Sequence, residues 1–165
     1  AMTMHLAAKG YKRIGFVSTP IHGNDRLRQR RTGYHAALTE LGIKNHADME
    51  VEVPITAQGG AEALVTLTSR HRDIDAIFFS SDTLAVGAVQ ECHRRRWAVP
   101  GRIAIAGYGD LDLSAQLYPP LTTVKVNRYE MGRRAVRQLL ARLGGDTKVP
   151  TITSLGFEIV DRESA

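Results

Sequence analysis

Residues 75–112 read DAIFFSSDTLAVGAVQECHRRRWAVPGRIAIAGYGDLD. The first six form a continuous apolar run, the pattern of a strand covered on both faces. Ser81 or Asp82 then caps a helix, on which Leu84, Ala85, Ala88 and Cys92 share one face. Residues 102–108, RIAIAGY, return as a second strand. A helix between two such strands predicts a parallel pair joined by a right-handed crossover.

The same alternation extends outward. Toward the start, KRIGFVS (12–18) and MEVEVP (49–54) read as strands. Between them runs a helix with Asn24 or Asp25 as cap and Gly42 as stop, and residues 59–72 form another helix. Toward the end, a Pro-Pro turn leads into a β-branched strand at 121–126. A helix follows from a capping-box-like Asn127…Glu130 start to Gly144-Gly145, then one or two closing strands at 150–160. The pattern predicts an α/β fold, a doubly wound parallel sheet with helices on both faces. In such sheets ligands sit beyond the carboxyl ends of the strands. Those ends are STPIHGND (18–25), PITAQGG (54–60), SSDT (80–83) and GYGDLD (107–112).

The bulk composition sets limits. A chain of 165 residues suits one domain, and 43% apolar with 24% charged residues is globular. No apolar run approaches the ~20 residues of a membrane span, and no signal-peptide core is visible. The single cysteine excludes an internal disulfide and fits a reducing cytoplasm. A formal charge of +5 permits an acidic partner or an anionic ligand, though the basic residues are scattered over several helices.

Arg30 lies near the middle of the stripe Leu27, Tyr34, Ala37, Leu38, Leu41, so it points inward at the ligand edge. It either contacts a ligand or snorkels and pairs with a carboxylate. Arg26 and Arg28 read as solvated. Ser80, Ser81, Asp82 and Thr83 offer capping groups that could also hold a hydroxyl or amide. Cys92 reads as inert core. The histidines lack paired metal spacing, and no nucleophile elbow or phosphate loop is present. GYGDLD lacks the third glycine of a dinucleotide fingerprint. Asp110 and Asp112, on a turn, read as capping groups or hydroxyl acceptors rather than metal ligands. No catalytic, metal or cofactor set is predicted.

The stretch from FFSSDTLAVG through GRIAIAGYGDLD to YPPLTTVKVNRYEMG resembles the effector-binding region of the lactose-repressor (LacI/GalR-type) transcription regulators. HLAAKGYKRIGFVS and RQRRTGYHAALTELG are similar to the same family, so the resemblance covers nearly the whole chain. It implies a periplasmic-binding-protein-like fold of type I, with residues 1–165 as its C-terminal lobe. It also implies a helix-turn-helix and another lobe before Ala1, so that DNA is contacted only through a missing domain. The strand-helix of 121–145 is expected to pack in that missing lobe. Uncovered here, it would be buried or swapped between two copies, as a homodimer.

The resemblance transfers ligand roles to Arg30, Ser81, Asp82, Gly109, Asp110 and Arg128. Ser81 stands where many members have asparagine, and Gly109 where many have a ligand-holding aspartate. Arg128 replaces an aromatic common in sugar binders. Losing a carboxylate and gaining a guanidinium favours an anion. The pattern is similar to the gluconate-operon repressor subgroup, which implies a sugar acid, with a neutral sugar as the other effector class. A transport-type binding protein of the same fold is the alternative; an enzyme would need parts that are not visible.

Overall fold

The computed structural model describes residues 1–44 and 46–165. Among the described residues, six strands form one sheet: β1 (Ile14–Ser18), β2 (Glu50–Glu52), β3 (Ala76–Phe79), β4 (Ala104–Tyr108), β5 (Thr122–Lys125) and β6 (Glu158–Val160). Their order is β2-β1-β3-β4-β5-β6. All neighbours are parallel except β5 and β6, which run antiparallel. The two central strands carry the purest apolar runs: every residue of β3 is buried, as are Ala104–Gly107 of β4. Strand β2, at the edge, is short and acidic, as an exposed edge tolerates.

The described residues also form five α-helices, in chain order α1 (Met2–Ala8), α2 (Asp25–Glu40), α3 (Ala57–Arg70), α4 (Asp82–Arg94) and α5 (Arg128–Leu143). Two cores lie on opposite faces of the sheet. Side chains alternate across each strand, so Ile77, Phe79 and Ile105 face α3 and α4, while Phe78, Ala104 and Ala106 face α1 and α2. Glycines let α3 and α4 press backbone to backbone: a Cβ on Gly87 would come within 1.7 Å of the Ala57 carbonyl oxygen. Cys92 belongs to that core, and burial pushes its thiol up to about 12.

Caps fall where short polar side chains precede apolar stripes. Asn24, Thr56, Ser81 and Asn127 each accept a hydrogen bond from a first-turn backbone N–H. Glu130 does not return the bond of a capping box; its carboxylate binds Arg133 and Arg134 instead.

Compared with the sequence reading, one helix is added, the closing segment keeps one of its one or two expected strands, and one unit divides. Helix α1 went unread: it has only seven residues and no side-chain cap, and it holds its place by burying Met2 and Leu6 against the sheet. Residues 150–160 supply a single strand, at 158–160. The 121–145 unit divides. Its strand needs no other lobe, because β5 pairs with β4 and Thr122 and Thr123 are fully buried. The Thr123 hydroxyl donates to Asp82 at 2.6 Å, and the Thr122 N–H donates to the Ser164 hydroxyl at 2.8 Å. The helix is uncovered: no residue of α5 is buried, and Leu143 is 76% exposed.

Candidate functional site

The carboxyl ends of β1, β3, β4 and β5 open onto a cavity of about 360 Å³. Its wall takes Arg26 and Arg30 from α2, Ser80 and Ser81 from the tip of β3, Tyr108 and Gly109 from β4, and Arg128 from α5. Three arginines therefore line it, and no acidic residue does among the described residues. Another hollow, of about 480 Å³, lies at the opposite edge of the sheet over Tyr11, Leu38 and Ile43. It lacks the convergent helix starts and strand tips that serve ligands in this architecture.

Arg30 sits on the sheet-facing stripe of α2, flanked by the buried Leu27 and Tyr34. Its guanidinium carbon lies 3.6 Å from the centre of the Tyr108 ring, and Nη1 donates to the Ser80 carbonyl at 3.3 Å. Arg26, read as solvated, lines the cavity as well; Arg28 is turned to Asp25.

Ser81 lines the cavity while its hydroxyl accepts from the Thr83 N–H at 3.3 Å. Gly109 has φ +134, a conformation that a side chain resists, and a Cβ there would face Arg128 Nη1 at 3.7 Å. The Arg128 side chain reaches back over this turn, with Nη2 3.4 Å from the Asp110 carbonyl oxygen.

Neither acid lines this cavity. Asp82 is fully buried. One oxygen accepts from the Leu111 N–H at 2.9 Å and the Ser114 hydroxyl at 2.7 Å, and the other accepts from Thr123. It ties the start of α4 to the loop after β4 and to β5. Gly107 leaves room for it, since a Cβ there would lie 2.2 Å from Asp82 Oδ1. Asp110 takes Arg162 at 2.7 Å and Lys125 at 3.7 Å; it does not line this cavity but lines an adjoining hollow of about 570 Å³ that shares Gly109, Val126 and Arg128 with it. Sequence spacing put both acids on the ligand edge; which way each carboxylate turns depends on partners 15 to 52 residues away, which no local pattern shows. Tyr108, missed as a site residue, has a local signal, being the last residue of a buried strand at its carboxyl tip.

No group of three or more His, Cys, Asp or Glu side chains is placed to share a metal among the described residues. No helix there is long and apolar enough to cross a membrane.

Residues 3–165 match the family of periplasmic binding protein-like domains. The chain belongs to that family. Among its relatives, the transcriptional regulator GntR of Pseudomonas aeruginosa is 33% identical over 165 residues, covering 99% of this chain and 48% of its own length. The ribose operon repressor of Escherichia coli is 31% identical, with 99% and 49% covered. The crystal structure of transcription regulator GntR from Chromobacterium violaceum superimposes with a TM-score of 0.91 at 36% identity, covering 99% of this chain and 60% of that one. The periplasmic-binding-protein-like chain thus corresponds to the effector-binding part of LacI-type regulators, and spans about half the length of the curated relatives it matches.

Proposed function

We propose that this domain senses a sugar acid of the gluconate type for a LacI-type transcriptional regulator. The observation that supports this is the strand-tip cavity lined by Arg26, Arg30 and Arg128 with no carboxylate among the described residues. A neutral sugar presents hydroxyls that a carboxylate accepts well. A carboxylate ligand instead matches a guanidinium fork, bidentate and charge-assisted. In this reading Arg30 and Arg128 grip the acid from two walls, while Ser81 and the α4 start serve hydroxyls. The ligand is reported rather than altered, by shifting the population of two lobe arrangements.

DNA contact belongs to a helix-turn-helix elsewhere in the full-length regulator, which acts in the cytoplasm as a homodimer without a cofactor. Helix α5 docks on the regulator's other lobe, which covers Leu139, Leu140 and Leu143, each more than half exposed here. A transport protein of the same fold would serve a sugar without regulating transcription; the similarity to two named regulators over 99% of the chain favours the sensor.

The test is calorimetry on a full-length regulator carrying this domain, with gluconate and glucose as ligands. One charge-assisted pair contributes about 1.5–3 kcal/mol, so gluconate should bind about 10- to 100-fold tighter than glucose. Arg128→Met should remove most of that preference, and Arg30→Ala should weaken gluconate several-fold or more. Equal affinity for acid and neutral sugar in the parent protein would end the proposal.

A further inference from the structure

We infer that Tyr108 is a positioning residue: its ring is the seat that holds Arg30 ready for an anion, so it does not serve as a stacking platform for a sugar ring. The inference deepens the functional reading above and rests on it for the identity of the ligand.

Three observations support it. Tyr108 is the one aromatic side chain lining the strand-tip cavity among the described residues. One face of its ring is already covered by the Arg30 guanidinium, at 3.6 Å. That distance lies well inside the ~6 Å range over which a cation is attracted to an aromatic face. Arg30 is also fixed from below, since Nη1 donates to the Ser80 carbonyl while Leu27 and Tyr34 anchor its helix face. An arginine has five N–H donors in a planar fork. Only the bond to Ser80 occupies the Arg30 fork among the described residues. The seat therefore spends the flat face of the guanidinium and leaves most of its edge free, and the edge is what a carboxylate needs.

The arrangement also separates ligand classes. An unseated arginine loses side-chain freedom when it closes on a ligand, and seating it beforehand removes that loss. The gain goes to a group that uses the fork, an anion. A pyranose ring would have to compete with Arg30 for the covered face of Tyr108.

Two measurements decide the matter. In the 165-residue chain, NMR should find the Arg30 side-chain protons shifted upfield by the ring current of Tyr108. Tyr108→Phe should keep that shift, and Tyr108→Leu should return it to the value of a free arginine. Ordinary Arg30 shifts in the parent chain, or upfield shifts that survive in Tyr108→Leu, would overturn the seat. This reading needs no ligand, and the parent spectrum alone decides it if the leucine variant does not fold. In the full-length regulator, Tyr108→Leu should weaken gluconate about tenfold and glucose less than twofold, with phenylalanine restoring the affinity. Added to Arg30→Met, it should cost nothing more. An equal loss for both ligands, or a full additional loss in the double variant, refutes the positioning role. If the parent regulator binds no sugar acid, the functional reading falls while the spectrum still judges Tyr108.

Discussion

Removing the Asp82 carboxylate is the sharpest test of how the ligand edge is held together. Asp82→Ala strands three donors at once: the Leu111 N–H, the Ser114 hydroxyl and the Thr123 hydroxyl. Ser114 and Thr123 are fully buried, so water does not replace the lost acceptor without first opening the site. Each stranded donor costs about 1–3 kcal/mol. The two hydroxyls rotate to seek other acceptors, which brings the expected total to about 3–5 kcal/mol. Asp82→Asn should be much milder. Its oxygen can face Leu111 and Ser114, and its amide N–H can donate to the Thr123 oxygen, which accepts as well as donates. That variant should lose only about 1–2 kcal/mol. Urea unfolding of the 165-residue chain measures both, as a fall in midpoint at constant slope. A loss below about 1 kcal/mol for the alanine variant, or equal losses for the two, would refute the view of Asp82 as a three-armed tie. A carboxylate serving only the ligand would give that outcome.

Two further predictions concern packing and charge. Gly87→Ala puts a methyl 1.7 Å from the Ala57 carbonyl oxygen and should force α3 and α4 apart, at a cost of about 1–3 kcal/mol in urea. Gly132→Ala, with nothing within 4 Å, should instead stabilise α5 by up to about 1 kcal/mol through helix propensity; a Gly87 variant as stable as the parent chain would count against the close helix contact. The Arg133 and Arg134 guanidiniums hold the Glu130 carboxyl down to about 2, below its ordinary 4.5. A depressed carboxyl stabilises fully above its unfolded value, so this contribution is present above pH 4.5 and fades as the pH falls toward 2. An NMR titration should place Glu130 near 2 in the parent chain and near 4.5 once both arginines are alanine; a midpoint near 4.5 in the parent chain would remove the cluster.

The amino-acid sequence by itself determined the architecture, because hydrophobic periodicity and capping act over a few residues. DAIFFS and RIAIAGY are buried strands wherever their apolar runs are covered, and Asn24, Ser81 and Asn127 cap helices through bonds spanning two or three residues. That β-α alternation also located the ligand edge, and the helix wheel turned Arg30 toward it. Tertiary structure alone decided the use of charged groups at that edge. Asp82 and Asp110 lie within ligand-edge segments of the chain, yet Thr123 and Arg162, 41 and 52 residues away, take their carboxylates. It likewise placed β5 in this sheet, by pairing with β4, and set Tyr108 under Arg30. A carboxylate turns toward the donors that three-dimensional packing brings within about 3 Å, and the partners that do so here lie on separate elements of the chain.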